Sequence, residues 1–215
     1  MRLTSCVACR RTVGAEFSTS KKEALMHTIP LETDRLILRK FEDKDMQPLH
    51  LLLMDETVNT FLPWFPVKSL EDTRTFYETH FAGKAYHFAI CLQSDNIPIG
   101  YVKADTDDSH DFGYALRREF WHRGIATEAG KTLVAYLRKD GVPYITATHD
   151  KNNPRSGKVM RQIGMRYCYS YEEQWQPKNI RVVFRMYQLN FDGQDDRVYR
   201  KYWNLYDAHY VEKHL

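Results

Sequence analysis

The segment Trp121-His122-Arg123-Gly124-Ile125-Ala126-Thr127 is where residue types and spacing first suggest chemistry. A glycine and a small alanine stand where an extended stretch gives way to a helical period. A helix N-terminus presents unpaired N–H groups and a partial positive charge, and Arg123 adds a full one, so the turn reads as a cradle for phosphate groups. Taken alone the pattern is generic, because any strand-to-helix turn can use a glycine. Just downstream, Gly130-Lys131-Thr132 imitates the end of a Walker A loop. The imitation fails twice. The interval between Gly124 and Gly130 is one residue too long for Gly-x-x-x-x-Gly-Lys-Thr, and Gly130 falls inside a helical period where no phosphate loop forms. The chain has no Gly-x-Gly-x-x-Gly and no His-Glu-x-x-His. Cys6 and Cys9 form a Cys-x-x-Cys, but no second pair follows at finger spacing, so no metal is expected. Cys91 and Cys168 read as small buried hydrophobes.

Holding that turn in place requires a strand before it and a helix after it. From His110 to Leu116, Phe112, Tyr114 and Leu116 alternate with Asp111, Gly113 and Ala115, which predicts a strand. Ala126, Ala129, Leu133, Val134 and Leu137 recur at helical spacing from Ile125 to Lys139, and Gly141 with Pro143 marks the stop. Two earlier strands, over 85–92 and 99–104, are separated by polar turn residues and predict an antiparallel meander. Upstream, a strand is expected over 35–41 and then a helix capped by Asp43 or Asp45 with Met46, Leu49, Leu52 and Leu53 on its apolar side. An aromatic loop interrupted by Pro63 and Pro66 follows, then a helix capped by Ser69 and running to about Phe81. Downstream the pattern predicts a strand over 144–148, a short helix over 155–163 and a strand over 181–189. Ser170 to Asn179, with Glu172, Glu173 and Trp175, reads either as a solvated turn or as carboxylates offered to a cationic substrate. Tyr199, Tyr202 or Trp203, Tyr206 and Tyr210 recur near helical spacing and predict an amphipathic aromatic helix. It packs on its own domain, or serves as a homodimer contact or a lid.

Composition bounds the rest. The chain has 215 residues, 43% of them hydrophobic and 27% charged, which suits one soluble domain with appendages and excludes a disordered or collagenous chain. No apolar run reaches the roughly eighteen residues needed to span a bilayer, so no membrane partner is expected. The net charge of +3 is too small to imply a nucleic-acid partner, so any bound anion must be held locally. Residues 1–26 are basic and Ser-rich without an apolar period and read as a tail ending at Met26; residues 27–190 form the patterned domain and 191–215 the aromatic extension. With no disulfide framework and no signal peptide, a cytoplasmic location is expected.

Four ordered segments together resemble a family: Leu31 to Arg39; Ile97-Pro98-Ile99-Gly100; Phe112 to Leu116 through Phe120 to Ala129; and Asn153-Pro154-Arg155-Ser156 through Ile163-Gly164-Met165. Their order and spacing, across roughly 30–190, resemble a GNAT-superfamily N-acetyltransferase of the Rim-type, ribosomal-protein N-terminal branch. The resemblance implies an α+β fold with a mostly antiparallel central sheet, a splayed strand pair and helices on both faces. It also implies acetyl-CoA as co-substrate, no metal, and a peptide or small-molecule amine as acceptor.

Residue by residue, it implies that the backbone N–H groups of Arg123, Gly124, Ile125, Ala126 and Thr127 hold the diphosphate. Trp121 replaces the usual first Arg or Gln of that loop, leaving Arg123 as the side-chain contact. Tyr114, Ala115 and Leu116 would line the pantetheine arm, and Asn153 and Ser156 would contact it near the thiol. The family's tyrosine acid falls on Met160, which leaves Ser156 as the candidate for protonating the departing thiolate. An attacking amine must be neutral, and an α-amino group with a pKa near 8 needs less help than a lysine amine near 10.4. Asp111, His110 and His149 are the candidate bases, not separable from sequence. Trp64 and Phe65 wall the acceptor pocket or belong to ordinary core packing. A non-catalytic acyl-CoA sensor on the same fold is the competing class.

Overall fold

The computed structural model describes residues 29–213; the expected tail, Cys6, Cys9 and Met26 lie outside the described residues. The first half consists of β1 (Leu31–Glu32), β2 (Leu36–Arg39), α1 (Met46–Leu53), α2 (Glu56–Asn59), α3 (Leu70–His80), β3 (Tyr86–Leu92), β4 (Pro98–Ala104) and β5 (Phe112–Leu116). The second consists of α4 (Ile125–Lys139), β6 (Tyr144–Asp150), α5 (Pro154–Gln162), β7 (Arg166–Trp175), β8 (Ile180–Asn190), α6 (Lys201–Leu205) and β9 (His209–Tyr210). β1 to β5 form one antiparallel sheet in chain order, as the meander predicts. The other sheet has the order β6-β8-β7-β9 and is also antiparallel. The two meet at a single parallel bridge, Asp111 with Thr146, where the Thr146 N–H donates to the His110 carbonyl at 3.3 Å. Among the described residues no further rung joins β5 to β6, so this is the splayed pair of the expected mixed α+β fold.

Strand alternation sends side chains to two cores. Phe88 and Ile90 of β3 join Leu36, Leu38, Phe112 and the α4 residues Leu133 and Leu137 on one face. Ala89 and Cys91 join Leu49, Leu53, Phe76 and Phe81 on the face covered by α1 and α3. Helices therefore cover both faces. α4 occupies the predicted span, and its Gly130 has a packing reason: a Cβ there would lie 3.0 Å from Ile163 Cγ2 and 3.3 Å from Phe112 Cζ. The Walker-like tripeptide is thus part of a tight helix-to-sheet contact.

Several sequence expectations are corrected. Ser69 does cap α3, in a capping box with Asp72, but Asp45 makes no side-chain cap for α1. Its carboxylate is buried and receives Arg39 bidentately at 2.6 and 2.9 Å, a charge-assisted pairing that outweighs a single cap bond. β6 continues two residues past Thr148, so His149 lies inside the strand instead of after it. Ser170 to Trp175 belongs to β7 instead of a turn; a register shift between Tyr167 and Tyr169 breaks the period-two pattern that would have disclosed it. The aromatic extension is helical only over Lys201–Leu205 and then pairs with β7 as β9. Its tyrosine spacing instead serves a stack, with the Tyr171 ring lying 5.0 Å from both Tyr202 and Tyr206.

Candidate active site

β5 has one edge in the meander and one facing the gap toward β6. The Asp111 carbonyl accepts from Asp105 N–H and the Arg117 N–H donates to the Ile99 carbonyl, so odd-numbered residues turn their backbone toward β4. Even-numbered Tyr114 and Leu116 therefore present theirs to the gap, whereas the Ala115 carbonyl points at Gly100. At the end of this edge the Trp121 indole N–H donates to the Leu116 carbonyl at 2.8 Å. The chain then turns through two left-handed residues, His122 (φ 63) and Gly124 (φ 75), the second at the N-cap of α4. A left-handed N-cap suits glycine, which carries no Cβ penalty there.

No side chain among the described residues caps α4. The first intrahelical bond runs from Glu128 N–H to the Gly124 carbonyl at 3.0 Å, leaving the N–H groups of Ile125, Ala126 and Thr127 ahead of the ladder. The turn is braced from outside. Arg35 donates through Nη1 to the Arg123 carbonyl at 3.1 Å and through Nε to Glu128 at 2.8 Å, while Thr33 donates to the other Glu128 oxygen at 2.6 Å. Partial burial pushes the Glu128 carboxyl up, but the Thr33 and Arg35 bonds outweigh it and hold it below the usual carboxylate range. Thr127 donates to Gln162 at 2.9 Å, tying the start of α4 to the end of α5. Arg123 is exposed and stacks on Phe120 at 5.5 Å.

α5 begins beside the same edge. Asn153 caps it by accepting the Ser156 N–H at 3.4 Å, and donates through Nδ2 to the Ser156 hydroxyl at 3.0 Å. From β5, the Tyr114 hydroxyl donates to the Ser156 carbonyl at 3.0 Å, and burial pushes that phenol up to about 12. Tyr114, Asn153 and Ser156 are thus brought together. Met160 is sealed in the core at 2% exposure.

The structure separates the three candidate bases. His149 follows Ile145 and Ala147 onto the α4 and α5 face, where it is 4% exposed, with Nδ1 2.8 Å from the Asp150 carbonyl. Its Nε2 has no hydrogen-bond partner among the described residues and lies 2.5 Å from where a Cβ on Gly157 would be. Burial lowers its pKa, so it sits neutral beneath α5. His110, at φ 43, packs edge-on against Tyr144 at 5.0 Å. Asp111 precedes Gly113 and Ala115, on the face covered by α1 and α3, and pairs with Lys103 Nζ at 3.0 Å. Burial pushes its carboxyl up against the opposing pull of Lys103.

On that face the Trp64 ring packs 4.8 Å from Phe76 and 5.6 Å from His80, while Phe65 is 60% exposed. Glu172 pairs with Arg181, and the Glu173 carboxyl is pushed up by burial beside Tyr206. Sequence reasoning missed two features here. Lys178, at the tip of the β7–β8 hairpin, donates to the Asn59 carbonyl at 2.5 Å and to the Thr60 carbonyl at 3.2 Å, joining the second sheet to α2. Lys103 and Asp105 were the other omission, and their one signal was opposite charge at i and i+2 on a strand leading to Asp111. Among the described residues no cluster of His, Cys, Asp and Glu is arranged to hold a metal, and no helix is long and apolar enough to cross a membrane.

With this geometry in place, the match to the Acetyltransferase (GNAT) domain family over residues 35–166 is decisive. The chain belongs to the GNAT family. It is 29% identical over 140 residues to the uncharacterized N-acetyltransferase YnaD of Bacillus subtilis, covering 63% of this chain and 82% of that one. A GNAT-family acetyltransferase structure from Bacillus anthracis superposes with a TM-score of 0.68 at 26% identity, covering 76% of this chain and 99% of that one. A Vibrio cholerae spermidine N-acetyltransferase, in complex with CoA and spermine, shares the fold at a TM-score of 0.62 and 18% identity, covering 72% and 95% of the two chains. In this GNAT chain the splay, the uncapped α4 and the capped α5 converge on one gap.

Proposed function

We propose that this GNAT chain transfers an acetyl group from acetyl-CoA to a primary amine of a peptide N-terminus or small molecule, within a ternary complex. The observation carrying this reading is the outward edge of β5, whose Tyr114 and Leu116 backbone leads directly to the uncapped start of α4. A strand edge can pair with an amide-bearing arm, and a helix N-terminus beside it can take the diphosphate. Arg123, Gly124, Ile125, Ala126 and Thr127 would form the diphosphate cradle, and Asn153 with Ser156 would border the thiol end. Ala115 would contribute to the arm's surroundings through its position between Tyr114 and Leu116. Trp64 and Phe65 would border the acceptor, Phe65 as the exposed member. The Rim-type branch is part of the proposal, and the Trp121 loop together with Asn153 and Ser156 supports it.

The co-substrate supplies an acetyl thioester. Asp111 would take the proton from the amine as its nitrogen bonds to the acyl carbon and the carbon–sulfur bond breaks; the Ser156 hydroxyl would give its proton to the departing sulfur, and the proton on Asp111 would pass back to Ser156 through solvent, restoring both groups. Asp111 is preferred over His149 because it lies on the strand face opposite α5 with its side chain 32% exposed, while the free His149 nitrogen is covered by Gly157. Thiol release with a panel of amines, including peptide N-termini, polyamines, aminoglycosides and free amino acids, tests the reading. Acceptor-dependent release supports it; coenzyme A binding without release from any amine supports the acyl-CoA sensor instead.

A further inference from the structure

Asp111 does not stand alone at the start of β5. Lys103, its partner, extends from β4 and is directly paired in the ladder with Gly113. A Cβ at Gly113 would lie 3.0 Å from Lys103 Cε, so the glycine leaves a lane along which the lysine stem crosses the strand. At the end of that lane Nζ is pinned between two carboxylates, 2.5 Å from Asp105 and 3.0 Å from Asp111. Asp105 is anchored in turn: His87 Nε2 lies 2.9 Å from its other oxygen, and His87 Nδ1 lies 2.7 Å from the His80 carbonyl. The array alternates in sign and is built from β3, β4 and the loop leading into β5. The charged and titratable groups acting on Asp111 are Lys103, Asp105 and Asp107; Tyr101 from β4 and Tyr202 from α6 also lie within its field, and His110 adjoins it in sequence.

We propose that Lys103 is a positioning residue that keeps Asp111 ionised and fixed on the α1 and α3 face of β5, and that Asp105 limits this effect by competing for the same ammonium. The inference rests on the assignment of Asp111 as the proton acceptor. A partly buried carboxylate that must hold a negative charge between turnovers needs a fixed cation beside it. A cation shared with a second carboxylate holds it less tightly than an exclusive one would. Asp111 therefore stays charged yet able to accept a proton. Burial pulls in the opposite direction to Lys103, so removing the lysine leaves burial unopposed.

The test is the titration of Asp111, followed by carboxyl carbon NMR of aspartate-labelled protein and assigned by loss of its signal in D111N. The acid limb of kcat is measured in parallel with the best amine from the panel. Lys103→Met should raise the Asp111 midpoint by about one pH unit or more and move the acid limb with it. Asp105→Asn should shift both in the opposite direction, and Lys103→Arg should return them toward wild type. Opposite shifts from neighbouring substitutions are not the signature of a merely structural role. If K103M does not fold, the D105N shift alone decides. An unmoved Asp111 midpoint in whichever of these variants folds overturns the proposal. The base assignment fails separately: D111N turning over at the wild-type rate removes it, whatever Lys103 does to the titration.

Discussion

At its C-terminal end β5 runs into a turn that presents backbone N–H groups at the uncapped start of α4, with Arg123 exposed beside them. At its N-terminal end the same strand starts from Asp111, inside an array of side-chain charges drawn from β4 and its loop. A helix terminus concentrates positive potential without formal charge, which is how a chain of net charge +3 can hold a polyanionic group. A proton transfer needs a group that changes charge, and that only a side chain supplies. On the proposed assignment, binding and proton transfer are divided along one strand, so substitutions at the two ends should fail differently.

The largest effect is expected at the cradle. Gly124→Glu forces a left-handed backbone on a side chain and places an anion before the α4 N-terminus, and acetyl-CoA affinity should fall by about a hundredfold or more by calorimetry. Next is Asp111→Asn at the opposite end: kcat should drop by roughly 10²–10⁴, the range of a lost general base, with cofactor affinity within about twofold of wild type. Comparable affinity losses in D111N and G124E would erase the distinction between the ends. Ser156→Ala should lower turnover about tenfold while affinity moves by no more than about twofold, because a departing thiolate with a pKa of about 8.5 needs little help from an acid. Equal losses in both quantities would place Ser156 with the binding groups. The smallest effect belongs to Arg123→Gln. An exposed cation contributes about 1 kcal/mol or less, so affinity should weaken a fewfold at low salt and less at high salt.

The same division explains what the sequence disclosed. The cradle is contiguous, and its glycine, its cation and the apolar period of α4 are all visible within a short window. The meander was equally legible because its strands follow one another in space as in sequence. What stayed hidden depends on long-range geometry. That Asp111 and His149 belong to opposite faces follows from where β6 ends and from the Asp111–Thr146 bridge, and neither leaves a local pattern. The Lys103 lane requires the register that sets it opposite Gly113. Lys178 meets Asn59 across 119 positions, at a hairpin whose first strand was itself obscured by a bulge. Arg39 captures Asp45 for a similar reason: a cap is local to its helix, whereas the buried guanidinium from β2 offers two bonds.

The most direct test of the central claim is acetyl-CoA binding and acetyl transfer measured side by side on wild type, G124E and D111N. The account predicts that D111N binds acetyl-CoA like wild type but transfers little, while G124E, still folded by circular dichroism, binds it about a hundredfold or more weakly. A folded G124E that binds acetyl-CoA with wild-type affinity would contradict it.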